Sequence, residues 1–243
     1  MDGKVSTGVV ELDASFDGGY PEGSLLLVGG GPGAGKMVFA CHFLHEGAMR
    51  GEKVAYVSLV ESEKSFRTNA ARMGFDFGDN LAFLEFFTGT AGAVASVLDA
   101  IMAAVQAVRP KRVVIDSISS ISDSVRDEGE MRRILHNVLA KTMRQSGITA
   151  MLVAEAPFGA LGTGEPSAEF VCDGVIILRQ RINGDDNEEE GQGHQFAGSM
   201  EVVKMRGCAI RRKAISYTIG EKGIATASPI VREKGSRRSG VLN

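Results

Sequence analysis

Short apolar runs alternate with longer amphipathic stretches along most of the chain. The apolar runs have the length of buried strands, and the stretches between them have the length of helices. The pattern predicts strands at 24–29, 53–59, 81–86, 111–116 and 148–154, and helices at 37–50, 63–73, 91–108 and 128–146. Alternation of this kind predicts an α/β fold in which a mostly parallel β-sheet is covered by helices on both faces.

Glycine follows three of the predicted helices, at Gly51, Gly74 and Gly147. Helices often end at a glycine because glycine adopts the left-handed conformation that closes the last turn. These positions support the predicted helix ends.

The last third of the chain predicts a C-terminal β-hairpin with strands at 173–179 and 199–206. Its connection carries an acidic run at 184–191, which is typical of a solvated loop. Residues 1–227 are expected to form a single domain, and the polar, basic residues 228–243 are expected to form a flexible tail.

The amino-acid composition and net charge disfavour some classes of function. The chain has 243 residues, of which 44% are hydrophobic and 23% are charged, enough for one large domain with a sizeable core. The net charge of −3 gives no basic field that would attract nucleic acid or an anionic membrane. DNA binding is therefore disfavoured and would have to be local.

The three cysteines, Cys41, Cys172 and Cys208, show no metal-ligand spacing. An odd number of scattered thiols fits a reducing compartment. The sequence shows no signal peptide and no membrane-spanning run, so a cytoplasmic protein without a membrane partner is expected.

A glycine-rich turn follows the first predicted strand and leads directly into a helix. Converging backbone N–H groups, the positive helix N-terminus and a lysine suit the phosphates of a nucleotide. The residues expected to bind the nucleotide here are Gly30, Gly31, Pro32, Gly33, Ala34, Gly35, Lys36, Met37 and Val38.

Met37 stands where a phosphate-binding loop usually has a serine or threonine hydroxyl after the lysine. Magnesium prefers hard oxygen ligands, and a thioether is a poor substitute. The motif is degenerate at this position, and we expect Mg²⁺ to be weakly held.

Asp116 ends the apolar strand that begins at Arg112. In a phosphate-loop fold, an aspartate at this place lies beside the loop and holds Mg²⁺, usually through its water shell. Asp116 is therefore the expected metal ligand and a candidate catalytic residue.

Several ordered motifs resemble the KaiC family of RecA-like ATPases, which includes many archaeal proteins similar to the RadA recombinase. The resemblance covers about residues 4–227. It rests on Val5-Ser6-Thr7-Gly8, Gly18-Gly19-Tyr20-Pro21-Glu22-Gly23-Ser24, Tyr56-Val57-Ser58, Phe66-Arg67-Thr68-Asn69-Ala70, Asp173-Gly174-Val175-Ile176-Ile177-Leu178 and Lys204-Met205-Arg206-Gly207.

The resemblance implies a RecA-like P-loop core that binds ATP and assembles as a homo-oligomeric ring or filament with the nucleotide at subunit interfaces. Lys204 and Arg206 match residues that family members extend to the neighbour's ATP. A cation supplied in this way neutralises charge on the transferred phosphoryl group.

Family members that hydrolyse ATP typically carry two glutamates after the strand that follows the loop helix. Here Val60 occupies the first position and Glu61 the second. Valine cannot orient or deprotonate a water, a contribution of roughly 10²–10⁴-fold in rate. Glu61 could replace it only if the strand end shifts register, since adjacent strand residues face opposite sides.

Three functions follow as hypotheses. The first is a KaiC-like ATP-binding protein with weak or absent hydrolysis that acts in assembly or regulation of an unidentified protein partner. The second is an active ATPase in which Glu61 and Asp116 are catalytic; separately, Glu155 is either a sensor of the γ-phosphate or simply a carboxylate at a strand end. The third is a RadA-like DNA-binding accessory protein, although the Gly-rich loop at 157–164 carries no lysine or arginine.

Overall fold

A computed structural model describes residues 3–86, 94–125, 127–157, 159–180, 198–210 and 214–226. Its strands are β1 (Lys4–Val5), β2 (Tyr20–Pro21), β3 (Leu25–Gly30), β4 (Val54–Ser58), β5 (Leu81–Glu85), β6 (Arg112–Asp116), β7 (Thr149–Glu155), β8 (Gly174–Gln180), β9 (Gly198–Met205), β10 (Ile215–Gly220) and β11 (Gly223–Thr226). Its α-helices are α1 (Val10–Ser15), α2 (Lys36–Met49), α3 (Glu63–Arg72), α4 (Val94–Val108), α5 (Ser119–Ser122), α6 (Glu128–Ile134), α7 (Lys141–Ser146) and α8 (Pro166–Val171).

Nine strands form one sheet in the order β11-β10-β9-β8-β3-β7-β6-β4-β5. The six strands from β8 to β5 are parallel to one another. The other three, β9 to β11, extend the sheet in antiparallel fashion. The mostly parallel α/β fold predicted from the sequence is confirmed.

Both faces of the sheet are covered, as the alternation of β3 illustrates. Leu26 and Val28 pack into a core with α2 and α3. Leu25 and Leu27 pack into a second core, on the other face, with α4, α6, α7 and α8. Successive strand residues point to opposite faces, so a strand buried on both sides reads as a continuous apolar run.

The C-terminal part departs from the sequence prediction in one respect. β8 and β9 form the predicted antiparallel pair, but β10 and β11 add a second hairpin that the apolar pattern did not predict.

The predicted helix at 128–146 is also interrupted, because Leu135–Ala140 is π-helical between α6 and α7. The acidic run at 184–191 and the tail at 228–243 lie outside the described residues, so the expectations for them and for the domain boundary stay predictions.

Within the described ranges, the helices are all too short or too polar to cross a bilayer.

Candidate functional site

The glycine-rich turn joins the carboxyl end of β3 to the first residue of α2. Gly33 and Gly35 have φ values of +76° and +85°, a region that side chains rarely adopt. A Cβ at Gly35 would lie 2.5 Å from Ile219 Cδ1, and one at Gly30 would lie 2.6 Å from the carbonyl oxygen of Leu178. The turn therefore has the backbone shape and the lack of side chains that a phosphate cradle requires.

Lys36 folds back over this turn. Its Nζ donates to the carbonyl oxygens of Gly30 at 2.8 Å and Gly31 at 3.0 Å. Burial lowers the pKa of Lys36, whereas the charges of Glu155 and Asp116 raise it. A phosphate group would give this ammonium a stronger acceptor than two neutral carbonyls.

Some of the other residues of the predicted nucleotide-binding loop are exposed to solvent, and others are buried in the core. Pro32 and Gly33 are exposed. Ala34 is buried, and its carbonyl accepts a hydrogen bond of 2.5 Å from the Tyr217 hydroxyl. Val38 lies in the core at 6% exposure, so only its backbone can take part in binding.

Asp116 lies at the end of β6, between the ends of β4 and β7. Its Oδ2 accepts a hydrogen bond of 2.5 Å from the Tyr56 hydroxyl. Burial raises the pKa of Asp116, while this hydrogen bond and the charge of Lys36 oppose the rise. Burial and the adjacent carboxylate also raise the pKa of Tyr56, so the phenol keeps its proton and acts as the donor.

Met37 turns its sulfur toward the protein. The side chain is partly buried against the core, and the Cys41 thiol donates to its Sδ at 3.7 Å. The described residues contain no group of three or more His, Cys, Asp or Glu side chains that could hold a metal ion. At position 37 the loop therefore offers a phosphate its backbone donors but offers Mg²⁺ no side-chain oxygen, and the role of Asp116 as a metal ligand stays a prediction.

Val60 and Glu61 follow β4 beside the loop. Val60 is 77% exposed and offers no polar atom from its side chain. The Glu61 carboxylate accepts hydrogen bonds from Ser65 Oγ at 2.6 Å and Asn69 Nδ2 at 3.0 Å, both on α3. Its charge still reaches the site, because it contributes to the raised pKa of Asp116.

Glu155 ends β7 directly beside the loop, since it is the register partner of Gly30. Its backbone N–H donates to Ser119 Oγ at 2.9 Å, which fixes the strand end. The exposed carboxylate is the largest charge influence on the pKa of Lys36. The structure thus brings Lys36, Glu61, Asp116 and Glu155 to one edge of the sheet.

Lys204 and Arg206 are not part of this cluster. Lys204 pairs with Val175 and Gly30 pairs with Leu178, so the two positions are separated by about 10 Å along the strands and by two strand spacings. Both side chains are held by α8, and Arg206 also by Asp173. Lys204 donates to the carbonyl of Glu169, while Arg206 bonds to Phe170 O at 3.3 Å and Asp173 at 3.4 Å.

Sequence reasoning missed two tyrosines at the site, Tyr56 and Tyr217. Tyr56 pairs with Val114, two residues before Asp116, so the two side chains share one face of the sheet. The alternation that places each side chain on one face of its strand is visible in the sequence. It predicts the contact between Tyr56 and Asp116 only if β4 and β6 are known to be neighbouring strands. Tyr217 lies on β10, which the apolar pattern did not predict.

Comparison with known proteins agrees with this fold. The family model of the KaiC ATPase matches residues 5–229. A UPF0273 protein from Pyrococcus furiosus is 29% identical over 96% of this chain and 97% of its own length. The circadian clock oscillator protein KaiC from Parasynechococcus marenigrum is 28% identical over 91% of this chain but only 44% of its own length. The crystal structure of a KaiC-like protein from Pyrococcus horikoshii has a TM-score of 0.75 and 30% identity, covering 94% of this chain and 100% of that one.

Proposed function

Because the chain belongs to the KaiC ATPase family, we propose that it binds ATP at the loop of residues 30–38, with weak or absent hydrolysis, and acts as a nucleotide-dependent assembly or regulatory protein. One observation carries the proposal. The phosphate cradle is intact through Lys36, while the neighbouring strand end carries the exposed apolar side chain of Val60 instead of a carboxylate.

Binding and hydrolysis place different demands on this site. Holding phosphate needs the backbone N–H groups of the loop, the start of α2 and the Lys36 ammonium, all of which are present. Hydrolysis needs in addition a group that orients or deprotonates water within hydrogen-bond reach. ATP would supply the phosphate charge that draws Lys36 away from the two loop carbonyls.

An active ATPase is the second candidate, and the position of Glu61 favours it. The backbone of Glu61 is hydrogen-bonded to Ser58 Oγ, and Ser58 is the register partner of Asp116, so Glu61 lies near the candidate site. Two hydrogen bonds from α3 hold it, however, and both would have to be broken or shared before it could act on water. We therefore rank this function below nucleotide binding alone.

The test of binding is a titration with ATP, monitored by calorimetry, for the unmodified chain and for Lys36→Ala. Loss of a charge-assisted hydrogen bond of about 1.5–3 kcal/mol predicts binding that is roughly ten-fold to a hundred-fold weaker. The matched control is Lys64→Ala, an exposed lysine on α3, which should leave the affinity unchanged. Absence of ATP binding by the unmodified chain would reject the proposal.

A further inference from the structure

Magnesium in nucleotide sites takes six oxygen ligands in near-octahedral geometry, from phosphates, waters and one or two protein groups. In a phosphate-binding loop, the protein oxygens come from the hydroxyl after the lysine and from the aspartate at the end of the neighbouring strand. In this chain the first place is taken by Met37, and at the second place the aspartate is present as Asp116 but has one carboxylate oxygen bonded to Tyr56.

The first feature is Met37. Its thioether is a soft donor that does not suit a hard cation, and it points toward Cys41 with the two sulfur atoms 3.7 Å apart. The rest of the side chain is packed against the core. A rotation toward the phosphates would lose this packing and would still present no oxygen.

The second feature is the phenol of Tyr56, which donates to Oδ2 of Asp116 at 2.5 Å. Tyr56 is 1% exposed and stacks on Phe83 with 5.5 Å between ring centroids. A cation or its water shell at this oxygen would compete with the phenol proton. Displacing the phenol would leave a buried hydroxyl without a partner, which is costly.

Positive charge is instead supplied by the protein. The Lys36 ammonium and the N-terminus of the 14-residue α2 face the same loop. The nearby carboxylate of Glu61 is stabilised by hydrogen bonds from Ser65 and Asn69, as that of Asp116 is by Tyr56.

From these contacts we propose that the site binds the polyphosphate of a nucleotide without a divalent cation, with Tyr56 and Met37 together excluding the metal. The inference rests on the proposed function, since it concerns the same loop. It assigns the ligand class as metal-free nucleoside triphosphate or diphosphate, held by Lys36 and the loop backbone. Tyr56 is a positioning residue in this scheme.

The test measures ATP affinity by calorimetry in excess Mg²⁺ and again in excess EDTA. The inference predicts that the two dissociation constants differ by less than about five-fold, and a weakening of about five-fold or more in EDTA overturns it. Absence of binding in both buffers overturns the proposed function itself and this inference with it. The two failures are therefore distinguishable.

A double variant tests whether Met37 and Tyr56 are the residues that exclude Mg²⁺. Met37→Thr combined with Tyr56→Phe restores a hydroxyl after the lysine and frees Oδ2 of Asp116, so Mg²⁺ should strengthen ATP binding by about ten-fold or more. Tyr20→Phe combined with Met37→Leu is the matched control, because Tyr20 is equally buried and leucine adds no oxygen. An unchanged response to Mg²⁺ in the first variant, with its thermal unfolding intact, would contradict the roles given to Met37 and Tyr56.

Discussion

Arg112 opens β6 and is only 1% exposed, although arginine is rarely buried without partners. Its Nε donates to Glu52 at 2.6 Å, and its Nη1 donates to the carbonyl oxygens of Ser6 at 2.7 Å and Phe43 at 2.9 Å. The guanidinium also lies 5.2 Å from the centre of the Phe43 ring. One side chain thus ties the N-terminal segment and α2 to the central sheet.

We predict that Arg112→Met lowers the free energy of unfolding by about 3–5 kcal/mol, because it leaves two buried carbonyls and a carboxylate without their donor. Urea denaturation followed by circular dichroism measures the change. The neighbouring Lys111→Met is the control, since its ion pair with Glu22 is 3.6 Å long and joins side chains that are 63% and 48% exposed. That pair should be worth less than about 1 kcal/mol. Equal effects of the two substitutions would contradict the role of Arg112.

At the scale of single residues, the sequence predicted those features of the site whose residues lie close together in the chain. The spacing from Gly30 to Lys36 predicted the phosphate loop, and the missing oxygen at Met37 was visible directly. The bond between Tyr56 and Asp116 was not, because it crosses between two strands that are 60 residues apart in the chain.

Element prediction succeeded for the central parallel strands β3 and β6 because each is buried on both faces and reads as an apolar run. β10 and β11 were missed for the opposite reason. β10 has a mixed pattern in which only Tyr217 is fully buried, and β11 is four residues long. Short strands near the edge of a sheet take their stability from pairing, which a single sequence does not display.

These missed elements matter for the site because β10 supports the loop. The Tyr217 hydroxyl bonds to Ala34, and Ile219 fills the space beside Gly35. β11 in turn is fixed to α2, since the backbone N–H of Ile224 donates to His42 Nε2 at 2.8 Å. The strands β10 and β11 therefore stabilise both the phosphate-binding loop and α2, the helix that begins at Lys36.

At the scale of the whole molecule, Lys204 and Arg206 lie away from the loop of their own chain, and α8 holds them. They can contribute to a nucleotide site only if a second copy places its loop against this surface. That arrangement is the one expected from the family resemblance, and in it the nucleotide would join two subunits.

We predict that ATP raises the proportion of a homo-oligomer, measured by light scattering after size-exclusion chromatography. Arg206→Ala should reduce this response, because the 58% exposed guanidinium would no longer reach the neighbour's phosphates. Arg67→Ala is the control, an exposed arginine whose partner Glu63 lies on the same helix. A mass that does not respond to ATP, or equal behaviour of both variants, would count against assembly through this surface.

The central claim is that the site retains nucleotide binding but lacks the groups for hydrolysis. The most direct measurement is ATP turnover by the unmodified chain, by Lys36→Ala, and by Met37→Thr combined with Val60→Glu. We predict that the unmodified chain turns over no faster than Lys36→Ala, and that the double variant gains roughly 10²-fold or more from the restored carboxylate and hydroxyl. Robust turnover by the unmodified chain that is abolished in Lys36→Ala would contradict the account and would assign the chemistry to Glu61 and Asp116.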